Sequence, residues 1–222
     1  MNLGQYIALL NDSVKADVQR GMLPTFVNLA VKELCRRRSW QGMKGTISFT
    51  IASGNGQANL PSTFKEPQSG LNALRAVSAL TPTGYDMWYL YSKQELERLG
   101  VIGVGAPDNK AYIDYNGTNF IIVTLGQSGV DTNFVLDAYS FFADVSLPTD
   151  ENYLMREYPL LVLEQARVYS YRHGAMDEDG VGERMIAMSE NSQQEAERLF
   201  AIASADDAYR SIRGRRFRMG GF

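Results

Sequence analysis

Few residues of this chain are of a type that does covalent or acid–base chemistry. His173 is the only histidine and Cys35 the only cysteine in 222 residues. A Ser-His-Asp hydrolase would have to use His173, yet no G-x-S-x-G elbow accompanies it. Its context, VYSYRHG, reads as a helix end, where an imidazole meets the negative pole of the helix dipole. A lone cysteine forms no intrachain disulfide, and a thiolate zinc site lacks its other ligands. Gly54-Asn55-Gly56 raises the question of a phosphate cradle. Walker A needs G-x-x-x-x-G-K-S/T before a helix, and the dinucleotide fingerprint needs a third glycine. Here Leu60-Pro61 follows instead, so the stretch reads as the corner of a hairpin. Asp177, Glu178 and Asp179 lack the spacing and terminal glutamate of an EF-hand and read as an interhelical loop. Trp88, Tyr89 and Tyr91 could stack on a sugar or a base, although in a strand one face of them serves the core more simply. No catalytic residue, cofactor or metal is expected.

The elements that carry these residues follow from hydrophobic period and from caps. One helix is expected over Leu3 to about Val18. A second opens at Pro24, a favoured first position, and runs to about Arg38. In it Phe26, Ala30 and Leu34, with Val27 and Val31, form an apolar stripe, and Arg36, Arg37 and Arg38 suit the carbonyl end. From Gly45 the period becomes two: Ile47, Phe49 and Ile51 share one face of a strand. GYDMWYLY (84–91) is an aromatic strand, and Ser92 to Glu95 is a capping box for a short helix closed by Gly100. Asn116-Gly117, the favoured type I′ pair, divides KAYIDY from TNFIIVTL, and NFVLDAYSFFADV follows Gly129 as another strand. Helical signals return with Asp150 as a cap, Pro159 opening a helix to Gly174, and a last helix from about Glu183 to Ala205. Met185, Met188, Ser192, Ala196, Leu199 and Ala203 give that helix a narrow stripe of small and flexible residues. The fold class is α+β: a helical bundle from both chain ends, residues 1–44 and 149–207, with an inserted antiparallel β-domain at 45–148 carrying a short helix near 93–99. Residues 208–222 form a basic C-terminal arm.

Apolar residues make up 45% of the chain, enough for a buried core. No stretch has the eighteen uninterrupted apolar residues of a membrane span, and MNLGQYIALLNDSVKAD lacks the features of a signal peptide, so a cytoplasmic origin is expected. The net charge of −3 conceals a polarity. Residues 150–207 hold thirteen acids against five arginines, whereas 208–222 hold five arginines and no acid. Charge does not mark the whole protein as a nucleic-acid binder, but the basic end can seek an acidic partner.

The order of features is informative where single motifs are common. Two helices lead into a strand; Leu60-Pro61-Ser62 follows the first expected hairpin. Ser92 to Glu95 opens a short helix, and Gly105 and Pro107 precede the Asn116-Gly117 hairpin. An aromatic strand ends toward Leu147-Pro148, and Glu157-Tyr158-Pro159 opens a C-terminal helix pair. This order resembles the head-to-tail adaptor (connector) proteins of tailed bacteriophages over nearly the whole chain. The resemblance implies a structural, non-enzymatic virion protein of the head-tail neck, made in the host cytoplasm. It implies a homo-oligomeric ring, usually a dodecamer, beneath the portal protein. Such a ring extends the DNA channel and docks the next tail component, a nozzle, terminator or tube protein, and DNA passes through the lumen without specific binding. On that reading the acidic residues 150–207 are expected to face the channel or the portal side. The runner-up is a tail or baseplate carbohydrate-recognition module using Trp88, Tyr89 and Tyr91 as interface aromatics.

The arm adds a docking expectation. Arg210, Arg213, Arg215, Arg216 and Arg218 are planar, permanently charged donors, and Phe217, Met219 and Phe222 are apolar anchors that a merely solvating tail would not need. Gly214, Gly220 and Gly221 raise the cost of ordering it alone, so it is expected to order on binding the portal, in a groove acidic at its rim and apolar at its base.

Overall fold

The computed structural model describes residues 1–13, 21–68, 74–77, 85–99, 109–125, 131–177 and 182–218. The chain is α+β and divides into two compact units, one of Met1–Met43 with Phe142–Phe222, the other of Lys44–Phe141.

In the first unit, α1 (Leu3–Ser13) and α2 (Leu23–Arg37) are followed by a 3-10 turn at Gln41–Met43. The chain returns as α4 (Tyr153–Glu157), α5 (Pro159–Asp177) and α6 (Gly182–Arg218). The amphipathic stripe of α2 is buried as its spacing requires: Phe26, Val27, Ala30, Val31 and Leu34 are 4% exposed or less. The start of α1, whose first N–H groups have no partner within the helix, is held by backbone carbonyls: Leu3 N donates to Asp150 O (2.9 Å) and Gly4 N to Pro148 O (2.8 Å). Tyr6 lies fully buried and donates its hydroxyl to the carbonyls of Met155 and Pro159. Asn28 clamps the returning chain, exchanging two 3.0 Å hydrogen bonds with the backbone of Val145. α5 and α6 pack along their lengths, with Ser189, Ser192, Ala196 and Ala203 buried on α6. Small side chains there allow the axes to approach closely.

Three boundaries differ from those read in the sequence. α5 passes through Gly174 to Asp177, because Gly174 is buried in packing rather than freed at an end. α6 continues past Ala205 to Arg218, so most of the expected arm is helical in backbone. Asp150 does not cap α4; Asn152 does, accepting from Met155 N at 3.1 Å. Asp150 instead accepts from Ser146 N and Leu147 N, which holds its carboxyl below the usual carboxylate range. The expected end of the first helix near Val18, the loop acids Glu178 and Asp179, and Gly100, Gly105, Pro107 and Gly129 lie outside the described residues.

The second unit is a sheet with the order β1-β8-β4-β5-β6-β7-β2, and β3 pairs with β8. The strands are β1 (Lys44–Ile51), β2 (Gln57–Asn59), β3 (Phe64–Pro67), β4 (Leu74–Val77), β5 (Tyr85–Tyr91), β6 (Lys110–Tyr115), β7 (Phe120–Leu125) and β8 (Thr132–Ser140). Alternation puts Ile47 and Ile51 of β1, Ile122 of β7, and Phe134, Leu136 and Ala138 of β8 in one apolar cluster.

Two expectations fail here. The sheet is mixed, not antiparallel throughout: β5 and β6 run parallel, Tyr89 opposite Lys110. A parallel neighbour needs a crossover, and α3 (Lys93–Arg98) lies in it, its N-terminus capped by Ser92, which accepts from Glu95 N. Secondly, Gly54-Asn55-Gly56 is not a hairpin corner. Among the described residues β1 pairs only with β8, and β2 only with β7, so the strands flanking these glycines end at opposite ends of the strand order. The turn itself is Ala52 to Asn55, closed by Asn55 N donating to Ala52 O, with Gly54 at φ 77° as a type II turn demands of its third residue. Ser53 N then donates to Asp131 before β8, and Gly56 O accepts from Thr124 of β7. The sheet must therefore curl until its first and last strands are only a short connection apart. The hairpin at Asn116 is present, with β6 and β7 antiparallel, but only Gly117 takes positive φ (92°). That is the type II′ pattern, and Asn116 serves through its side chain, accepting from Thr118 N and Asn119 N.

Candidate functional site

In the helical unit, a polar assembly lies where the start of α5, the last third of α6, α4 and the segment after α2 meet. Its centre is Asp207, fully buried on α6. A buried carboxylate must be paired or fully hydrogen-bonded. Asp207 accepts from the Tyr153 hydroxyl (3.0 Å) and from Gln41 N (3.1 Å), and Arg38 Nη2 approaches at 3.5 Å. Burial, and then the hydrogen bond to Asp207, pushes the Tyr153 phenol up to about 12. Beside it Tyr158 donates to Asp206 (3.1 Å), and burial raises that phenol also. Trp40 fills the space between, fully buried, its Nε1 donating to Leu34 O at 2.9 Å and its ring 5.3 Å from that of Tyr158. Gly42 is required for packing: a Cβ at that position would overlap the ring of Tyr153.

An outer ring of ion pairs surrounds this centre. Arg210 bridges two carboxylates, Nη1 to Glu157 (2.6 Å) and Nε to Asp206 (2.7 Å). Glu157 also takes Arg156, and these two guanidiniums hold its carboxyl below the usual range, Arg156 acting most. Arg37 makes a two-point contact with Glu197 and lies 4.0 Å from the centre of the Phe200 ring. The arginines at the end of α2 thus do more than complement a dipole; Arg37 and Arg38 tie α2 to α6.

The residues singled out in the sequence belong to both units. Of the expected arm, Arg210 is paired within the helical unit with Glu157 and Asp206. Arg213, Arg215, Arg216, Phe217 and Arg218 lie on the last turns of α6. Met219 and Phe222 are outside the described residues. Trp88 is half-buried against Phe134, ring centres 5.1 Å apart, while Tyr89, on the opposite face of β5, is 45% exposed. Tyr91 has the Lys110 ammonium 5.8 Å from its ring. The three aromatics do not share one face, so they do not form a three-ring platform. His173 is half-buried with its ring 5.5 Å from that of Phe26. Among the described residues, no cluster of three or more His, Cys, Asp or Glu could hold a metal.

Sequence reading missed Asp207, Trp40, Tyr153 and Gly42. One signal was available: Asp207 continues the small-residue stripe of Ser192, Ala196 and Ala203 in helical register, which marks it as inward-facing despite its charge.

In this arrangement the polar groups join α2, α4, α5 and α6. Comparison with family models gives the class of protein. The chain belongs to the SU10 adaptor protein family, whose model matches residues 1–218. It is a bacteriophage structural adaptor protein. No curated protein matches the chain. Among the described residues no helix is long and apolar enough to cross a membrane.

Proposed function

We propose that the chain works in the virion neck as a homo-oligomeric ring beneath the portal, extending the DNA channel and presenting a surface to the next tail component. The observation that carries this reading is the family match over residues 1–218, which takes in the α+β body of the chain and most of its basic end. A dodecamer is the ring size that the adaptor resemblance implies. The protein acts by assembly rather than by turnover, and its arginine-rich end, residues 213–222, is a docking element that needs an acceptor with carboxylates and an apolar floor.

The lumen is passive toward DNA. Residues 150–207 are acidic overall, and Glu157, Glu164, Glu195 and Glu197 are held in ion pairs with Arg210, Arg167, Arg198 and Arg37, which occupies those cations before any phosphate arrives. Without such contacts there is little counterion release to drive binding.

Mass measurement of the assembled protein, with an end-on electron-microscope view, tests the proposal. A closed ring of one size is expected. A monomer that binds glycan would overturn it, and tight, salt-sensitive binding of duplex DNA would overturn the passive lumen.

A further inference from the structure

The helical unit has an apolar groove between the start of α5 and the middle of α6. Leu160, Leu161, Leu199, Ile202 and Ala203 line it, together with the carboxylates Glu157 and Asp206. Leu160 and Ile202 are 60% and 55% exposed, and Tyr209, two turns beyond Ile202 on the same side of α6, is 55% exposed. Exposed apolar residues that cluster in this way mark an interaction surface. The groove holds about 260 Å³, below the range of small-molecule pockets and suited to an anchoring side chain.

The chain contains a segment of matching chemistry. Residues 213–222 (RGRRFRMGGF) carry four arginines, two phenylalanines, a methionine and no acid. Arg210 shows how the groove's carboxylates receive a guanidinium, meeting Glu157 at 2.6 Å and Asp206 at 2.7 Å. The segment cannot serve its own groove. α6 is helical to Arg218, which at 1.5 Å per residue lies about 24 Å beyond Ile202, on the apolar floor of the groove, along the axis. The four residues after it span at most about 14 Å when fully extended. Any occupant from this segment belongs to another molecule.

We propose that the α5/α6 groove of one copy receives the arginine-rich C-terminal segment of a second copy. Apolar side chains of the segment fill the groove, and its arginines answer the acidic excess of residues 150–207. Groove and segment are different surfaces, so the contact is heterologous: copies add head to tail and close into a ring when the rotation permits. This rests on the ring reading above, and it assigns the segment's acceptor to the neighbouring copy rather than to the portal.

The test uses full-length protein carrying single new cysteines, Leu160→Cys in one preparation and Phe222→Cys in another; the native Cys35 is buried. The two are mixed under mild oxidation, alone and on portal-bearing heads. A disulfide-linked heterodimer is expected, well above a control in which Leu147→Cys, equally exposed, replaces Leu160→Cys. Adding Ile202→Glu to the groove-bearing copy should weaken self-association about tenfold or more with the fold unchanged. Closed rings without the specific heterodimer would overturn the groove contact and leave the ring reading standing. Protein that is monomeric under every condition would overturn both. Cross-linking of Phe222→Cys to the portal instead of to Leu160→Cys would give the segment to the portal and overturn the proposal.

Discussion

The phenol of Tyr153 donates to the buried carboxylate of Asp207 at 3.0 Å, joining α4 to α6 across more than fifty residues of chain. The same carboxylate accepts from the backbone of Gln41, so three separate segments converge on one side chain. Removing it strands a phenol, a backbone N–H and a guanidinium together. Asp207→Ala should lower stability by about 2–4 kcal/mol, and Asp207→Asn by less, since the amide keeps an acceptor. Urea denaturation followed by circular dichroism measures this; an alanine variant as stable as the parent would contradict the central role of Asp207.

Gly42 permits Tyr153 to reach that carboxylate. Gly42→Ala should cost about 1–3 kcal/mol through overpacking. In a Tyr153→Ala background the same change should cost much less, because the ring that a Cβ would strike is gone. A double-mutant cycle reads the coupling, and equal costs in both backgrounds would show that the backbone, not the ring, demands glycine.

Stability should fall at both ends of the pH scale. The Tyr153 phenol is raised to about 12 in the fold, above its ordinary value of 10.0, so its stabilising contribution is complete below pH 10 and is lost as pH climbs toward 12. Glu157 and Glu197 are held below their ordinary value by arginines, so their contribution is present above about pH 4.5 and is lost as pH falls through the depressed values. Thermal melts across pH test both arms. Arg210→Met should flatten part of the acid limb, because Glu157 then keeps only Arg156.

His173→Ala should leave assembly intact. The imidazole packs beside Phe26 in the bundle, and its loss should cost about 1 kcal/mol of stability as a small packing defect. Head completion by the variant, corrected for its melting temperature, is the measurement. Loss of completion at an unchanged melting temperature would give His173 a direct role.

Salt should separate the surface pairs from the buried centre. Arg37–Glu197 and Arg198–Glu195 are exposed enough for ions to screen, whereas Asp207 is not. Raising the ionic strength should therefore reduce the cost of Arg198→Ala and leave that of Asp207→Ala nearly unchanged.

Much was legible where a residue's effect is local. Pro159 opens α5, Ser92 caps α3, the α2 stripe is buried, and Ile47 and Ile51 share the inward face of β1, because proline geometry, side-chain caps and hydrophobic period act within a few residues. The short strands β3 and β4 went unread. Four residues such as LRAV carry almost no period, and both owe their strand form to pairing with β8.

What the sequence by itself determined is the kind of each long element, the α+β class and the electrical opposition between residues 150–207 and the end of the chain. Only the tertiary structure decided partners. The strands on either side of Gly54-Asn55-Gly56 turn away from each other, β1 to β8 and β2 to β7, since pairing is chosen by a core assembled from distant segments rather than by the turn between them. Asp207 shows the same division in one side chain. Its charge argues for the surface, and its burial is stable only because Tyr153, Gln41 and Arg38, none of them near it in sequence, arrive to surround it.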